Sequence, residues 1–149
     1  MKVAVLMGSA SDQARMSQAT QLLERFGIEA TEHVMSAHRN PEVVSAFARD
    51  ARDQGYGVLI CGAGMAAALP GVVAAHTTLP VIGVPLTGSA LSGVDALYAI
   101  VQMPRGVPVA TVAIDGAANA ALLAVAILAV GDAGLAAQLD SYRGEWAAP

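Results

Sequence analysis

The chain of 149 residues carries 8 Lys and Arg against 12 Asp and Glu, a formal charge of -4, and only 13% of it is charged, against about 25% for an ordinary soluble domain. With no Lys/Arg cluster or basic stripe, that balance excludes polyanion binding by counterion release, so no nucleic-acid partner is expected. The length suits one domain over residues 1–149, large enough to bury a single core without staples. Cys61, the only cysteine, cannot form an internal disulfide, and Met1 leads straight into an apolar β-branched run without a basic segment before it. A reducing, cytoplasmic setting is the expectation.

In chain order, Lys2 to Met7 is a strand ending at Gly8, followed by Ser9, Ser11 and Asp12, the last as helix N-cap. Ala14, Met16, Ala19, Leu22, Leu23 and Phe26 then recur at helical spacing up to Gly27. Ile28 to Met35 is a second strand. Asn40 as cap and Pro41 at the first helical position start a second helix, with an apolar stripe of Val43, Val44, Phe47, Ala48 and Ala51. Gly57 to Cys61 is a third strand, apolar throughout and therefore central, with a glycine loop directly after it. Further elements are a strand from Val81 to Pro85, a helix from Ser92, its cap, to Val101, and a strand from Val109 to Ile114. A helix from Gly116 to Val130 follows, and a terminal helix, capped by Asp132, runs over about 132–146.

Neither of the most apolar stretches spans a bilayer. Val58 to Ala75 is interrupted by glycines and Pro70, and the uncharged Ala117 to Val130 is only 14 residues long, against about 20 for a spanning helix. A helix apolar all round needs partners on every side, so a homo-oligomer with apolar interfaces is expected, and Ala121→Asp is expected to disrupt folding or assembly. No membrane partner is expected. Alternating strands and helices of these lengths specify right-handed crossovers and an open, three-layer, doubly wound parallel α/β sheet of flavodoxin-like type.

Ligands in such a fold bind beyond the carboxyl ends of the strands. In a chain this poor in polar residues, Ser, Asp, His and Arg gather in those loops: Gly8-Ser9-Ala10-Ser11-Asp12, Ser36-Ala37-His38-Arg39-Asn40-Pro41, Gly62-Ala63-Gly64-Met65, and Thr87 to Gly93. The first offers hydroxyls and free N–H groups at a helix start, which serve either as caps or as a phosphate cradle. Arg39, able to hold phosphate bidentately, and Ser36 favour the phosphate. His38 is the only histidine in a strand-end loop and the candidate acid/base. His33 and His76 are structural or surface residues. No histidine pair has metal-ligand spacing, so no metal is expected. Gly62-Ala63-Gly64-Met65-Ala66-Ala67 approaches the dinucleotide fingerprint, but Leu79 to Leu86 lacks the acidic residue that would hold a ribose, so no dinucleotide cofactor is expected. Cys61, among apolar neighbours, is expected to be an inert buried thiol.

Several segments together resemble the PurE family. They are Met7-Gly8-Ser9-Ala10-Ser11-Asp12, Ser36-Ala37-His38-Arg39, Gly62-Ala63-Gly64, Leu69-Pro70-Gly71, Ala90 to Asp95, Ile100 to Gly106 and Ala117 to Leu123, in order over about Val3 to Leu128. The bacterial class of that family is N5-carboxyaminoimidazole ribonucleotide mutase of de novo purine synthesis. The resemblance implies a doubly wound fold, a D4 octamer whose sites draw on neighbouring subunits, and a cofactor-free reaction on a small phosphoribosyl substrate. It implies phosphate at Ser9, Ser11, Ser36 and Arg39, ribose at Asp12, and the aminoimidazole carboxylate beside His38 and the third loop, where Gly64, Ala68 and Leu69 lie. His38 would shuttle the proton.

The third loop departs from the family pattern Gly-Ala-Gly-Gly-Ala-Ala-His-Leu-Pro-Gly: Met65 replaces a glycine and Ala68 a histidine. The pocket thereby loses a polar contact and gains bulk. Alternatives to the mutase are therefore a relative with altered carboxylase or decarboxylase chemistry, or a catalytically silent ribonucleotide-binding protein.

Overall fold

The computed structural model describes residues 1–147. Its elements are β1 (Lys2–Met7), α1 (Gln13–Arg25), β2 (Ala30–Val34), α2 (Pro41–Asp50), β3 (Tyr56–Gly64), α3 (Leu69–Ala75), β4 (Val81–Leu86), α4 (Val94–Val101), β5 (Ala110–Thr111), α5 (Ala117–Ala129) and α6 (Ala133–Ala147). All strand pairings are parallel, in the order β2-β1-β3-β4-β5. The order reverses between β1 and β3, the switch point where a doubly wound sheet opens a crevice.

Alternation along the buried strands sorts side chains into two cores, one on each face. Val3, Val5 and Met7 of β1, with Val58 and Ile60 of β3, pack under α1, α5 and α6. Ala4 and Leu6, with Leu59 and Cys61, pack under α2, α3 and α4. Both faces of β1 and β3 are therefore dry, which is why those strands are apolar without interruption. Gly62 lets α1 approach closely, since a Cβ there would strike the side chain of Met16. Burial pushes the Cys61 thiol far up, keeping it protonated and inert.

Several expected boundaries change for local reasons. Ile28 is not part of β2, because its N–H bonds Leu23 O at 3.0 Å and closes the end of α1. The glycine loop expected after Cys61 is instead the last part of β3, where Gly62, Ala63 and Gly64 pair with Val84, Pro85 and Leu86. Ser92 does not cap α4: it has φ +53° and Gly93 φ +86°, a left-handed pair from which the helix starts at Val94. The fifth strand shrinks to two residues, since beyond Val112 the chain turns through Asp115 at φ +56°. In the stripe of α2, Val43 is 52% exposed while Val44 and Ala48 are buried. Asp132 does cap α6, accepting from Leu135 N–H at 3.0 Å.

The uncharged helix α5 is not enclosed on every side by its own chain. Ala117, Ala120, Ala121, Ala124, Val125 and Leu128 are buried, whereas Leu122, Leu123, Ala126 and Ile127 are only partly covered. Ala121 thus lies inside the chain's own core, and Ala121→Asp would test folding rather than assembly. Among the described residues no helix is long and apolar enough to cross a membrane.

Candidate active site

At the carboxyl ends of β1 and β3 lies an open cleft of about 930 Å³, the size of a small-ligand site. Every site residue expected from sequence lines it: Ser9, Ser11 and Asp12 after β1; Ser36, His38 and Arg39 after β2; Gly64, Ala68 and Leu69 at the end of β3 and the start of α3.

Behind β1 the chain makes a 3₁₀ turn, Ala10–Asp12, before α1. Its cap is Ser9, not Asp12: the Ser9 hydroxyl accepts from Ser11 N–H at 3.3 Å and from the Ser11 hydroxyl at 2.9 Å. The Asp12 side chain makes no capping bond to α1 and is left facing the cleft. Burial raises its carboxyl above the usual range, opposed by a backbone hydrogen bond from Ser9 and by the Arg15 charge.

The second loop is folded by its own polar groups. Ser36 N–H donates to Asn40 Oδ1 at 2.9 Å, so Asn40 braces the loop instead of capping α2. Arg39 donates from Nε to Ser36 Oγ at 3.3 Å and from Nη2 to Gly8 O at 3.0 Å. The guanidinium therefore stitches the β2 loop to the β1 loop and stands beside the Ser9 and Ser11 hydroxyls, a cation and hydroxyls suited to phosphate. His38, at the crest of the same loop, is exposed, and among the described residues no hydrogen bond engages its ring. It is free to meet a ligand in the cleft.

His33 and His76 stand elsewhere. His33 Nε2 lies 2.9 Å from Thr31 Oγ1 and 3.3 Å from the Tyr56 hydroxyl, against Phe47. Burial, and secondarily the Lys2 charge, lower its pKa. His76 follows α3 and is exposed. Among the described residues no group of three or more His, Cys, Asp and Glu is placed to hold a metal ion. The glycines of β3 do not form a dinucleotide turn, because α3 starts only at Leu69, after Met65 to Ala68.

Met65 has φ +54° and is 63% exposed. A left-handed conformation costs a side-chain-bearing residue about 1–2 kcal/mol, and an exposed side chain recovers little of it by packing. Ala68 occupies the N-cap position of α3, where it offers no side-chain hydrogen bond.

Arg15 and Thr87 also line the cleft; Arg15 escaped the reading of the loops, whereas Thr87 opens the fourth of them but had no role assigned. Arg15 stands on α1 rather than in a loop, three residues after Asp12 and hence on the same helix face, and that spacing was the available signal. Thr87 donates from N–H and hydroxyl to Asp115 Oδ1 and Oδ2 at 3.0 and 2.7 Å, a pairing across 28 residues that no local pattern announces.

The sequence and the fold are shared with known proteins. The sequence model of the AIR carboxylase family matches residues 2–148. N5-carboxyaminoimidazole ribonucleotide mutase of Vibrio vulnificus is 50% identical over 147 residues, spanning 97% of this chain and 91% of that protein. The mutase of Haemophilus influenzae is 53% identical over 144 residues, 95% of this chain and 88% of its own. A crystal structure of Treponema denticola PurE superposes with a TM-score of 0.89 at 32% identity, covering 97% of this chain and 90% of that one. With a match running from β1 through α6 and the same fold beneath it, the chain belongs to the AIR carboxylase family.

Proposed function

We propose that this chain is an N5-carboxyaminoimidazole ribonucleotide mutase of de novo purine biosynthesis, converting N5-carboxyaminoimidazole ribonucleotide to 4-carboxyaminoimidazole ribonucleotide. The observation that carries the reading is the convergence of Ser9, Ser36 and Arg39 with Asp12 and His38 on one cleft, in a chain half identical to mutases of similar length. Residues 1–149 act as one unit in this reading.

In the reaction the N–C bond to the carboxylate breaks and releases carbon dioxide inside the cleft. The electron-rich ring carbon then attacks that molecule and forms a C–C bond. The proton lost from this carbon must reach the exocyclic nitrogen, and His38 carries it. No redox change or external group is involved, so the protein's tasks are desolvation, orientation and one proton transfer. Arg39, Ser9, Ser11 and Ser36 hold the phosphate, Asp12 the ribose, and Gly64, Ala68 and Leu69 border the ring.

A second reading follows from the family's own description, a carboxylase acting on the uncarboxylated ribonucleotide. Purified protein given N5-carboxyaminoimidazole ribonucleotide should form the 4-carboxylated product faster than it does from aminoimidazole ribonucleotide with bicarbonate. The reverse order of rates would establish the carboxylase instead.

Arg39→Ala is expected to raise KM about tenfold or more with a smaller change in kcat, because the phosphate is remote from the reacting carbon. Unchanged binding by calorimetry would remove the phosphate from Arg39.

The proposed assembly is a homo-octamer in the cytoplasm. Its support is the half-covered face of α5 and an exposed apolar stripe on and before α4, with Leu91 64%, Val94 41%, Tyr98 63% and Val101 46% exposed. These recur at helical spacing, and such a patch on a small protein marks an interaction surface. Sedimentation should give one species near eight times the 15.0 kDa chain mass, and Tyr98→Glu should shift it to smaller species. A well-behaved monomer would refute this assembly.

A further inference from the structure

A carboxylated ribonucleotide carries two anions, a phosphate at one end and a carboxylate on the ring at the other. Arg39 is bound to Gly8 O and Ser36 Oγ, at the β2–β1 end of the cleft. A second cation is needed further along, because Ala68 presents no donor from its side chain.

Arg15 is such a cation. It rises from the first turn of α1, one turn beyond Asp12, and lines the same cleft. Its Nε lies 3.7 Å from Asp115 Oδ1, an ion pair too long for a hydrogen bond, with both side chains more than a third exposed. Asp115 in turn is held by two hydrogen bonds from Thr87, at the end of β4. This carboxylate draws the guanidinium from α1 towards the β4 end of the crevice. Among the described residues no hydrogen bond uses the guanidinium donors of Arg15, whereas those of Arg39 are engaged. With strands about 4.8 Å apart, the two steps from β1, whose loop holds the Arg39 guanidinium, to β4 separate the two ends by roughly 10 Å.

We propose that Arg15 is a specificity-determining residue of this cleft, receiving the ring-borne carboxylate of the ligand while Arg39 receives its phosphate. Asp115 is then a positioning residue: it aims Arg15 without touching the ligand, and its place at φ +56° sets it at the corner between β5 and α5. Charge-assisted contact to a carboxylate favours the carboxylated ribonucleotides over the one lacking that group. The assignment rests on the ribonucleotide reading above.

Titration calorimetry with 4-carboxyaminoimidazole ribonucleotide and with aminoimidazole ribonucleotide, which lacks the carboxylate, separates the contributions. Arg15→Met, which keeps the apolar stem, should weaken binding of the carboxylated ligand about ten- to a hundredfold and leave the other within about twofold. Arg15→Lys should fall between wild type and Arg15→Met, since an ammonium keeps the charge and loses the fork. Asp115→Asn should lower the discrimination in the same direction and by less. Equal losses for both ligands in Arg15→Met and Arg15→Lys, or no loss for either, would overturn the assignment of Arg15 while leaving the ribonucleotide reading intact. Binding of neither ligand by the wild-type protein would overturn that reading itself.

Discussion

His38→Asn is expected to lower kcat about 100- to 10,000-fold, the usual cost of losing a positioned acid/base group, while ribonucleotide binding changes little. The ring stands at the crest of the β2–α2 loop, exposed and engaged by no other described residue. Its removal therefore leaves no buried polar group unpaired and should not unfold the loop. The brace of that loop lies beneath it, in the bonds from Ser36 N–H to Asn40 Oδ1 and from Arg39 to Ser36 Oγ. Asparagine retains polarity and approximate size but cannot exchange a proton. Turnover of N5-carboxyaminoimidazole ribonucleotide, measured beside calorimetry of the 4-carboxylated product, separates the two effects. Near wild-type turnover would exclude His38 as the proton carrier, and equal loss of turnover and binding would make it a binding residue.

The architecture was legible because burial on both faces writes β1 and β3 as continuous apolar runs. Glycine and proline punctuate the helices in the same plain way, as with Gly27 after α1 and Pro41 at the start of α2. The site was legible through contrast: in a weakly charged chain, Ser9, Asp12, Ser36, His38 and Arg39 stand out at strand ends. What escaped notice depends on distant partners. Whether Asn40 caps α2 or braces Ser36 is settled by where the loop lies, and both uses suit the same side chain. The left-handed turn at Ser92 and Gly93 is fixed by tertiary packing, with Gly93 close against Ile114. The fifth strand kept its β-like composition but lost its length, because Asp115 N–H bonds Pro85 O and turns the chain into α5. Arg15 sits on a helix rather than in a loop, so a reading of the strand ends passes over it; its spacing from Asp12 puts it on the cleft face, and its partner Asp115 lies 100 residues away.

Met65→Gly together with Ala68→His should raise mutase activity by more than the product of the two single effects. Both positions line the cleft, three residues apart between β3 and α3, and residues in contact within one loop couple. At position 65 the backbone is already left-handed, φ +54°, so glycine fits without strain and without the bulk that an exposed methionine adds. This change alone should stabilise the fold by about 1 kcal/mol, less a part for the greater freedom glycine gives the unfolded chain. At position 68 an imidazole supplies the donor that alanine lacks, directly before α3 and bordering the proposed ring site. A hydrogen bond to a charged carboxylate contributes about 1.5–3 kcal/mol, roughly ten- to more than a hundredfold in rate when made only in the transition state. With Met65 retained, its side chain limits the space open to the new ring, so Ala68→His alone should realise only part of that gain. Steady-state kinetics of the wild type, both single variants and the double variant give the coupling, and thermal unfolding of Met65→Gly tests the strain independently. If all the variants match the wild type in mutase activity while another carboxylated ribonucleotide is turned over efficiently, the departure at Met65 and Ala68 marks a changed substrate, and the mutase assignment falls.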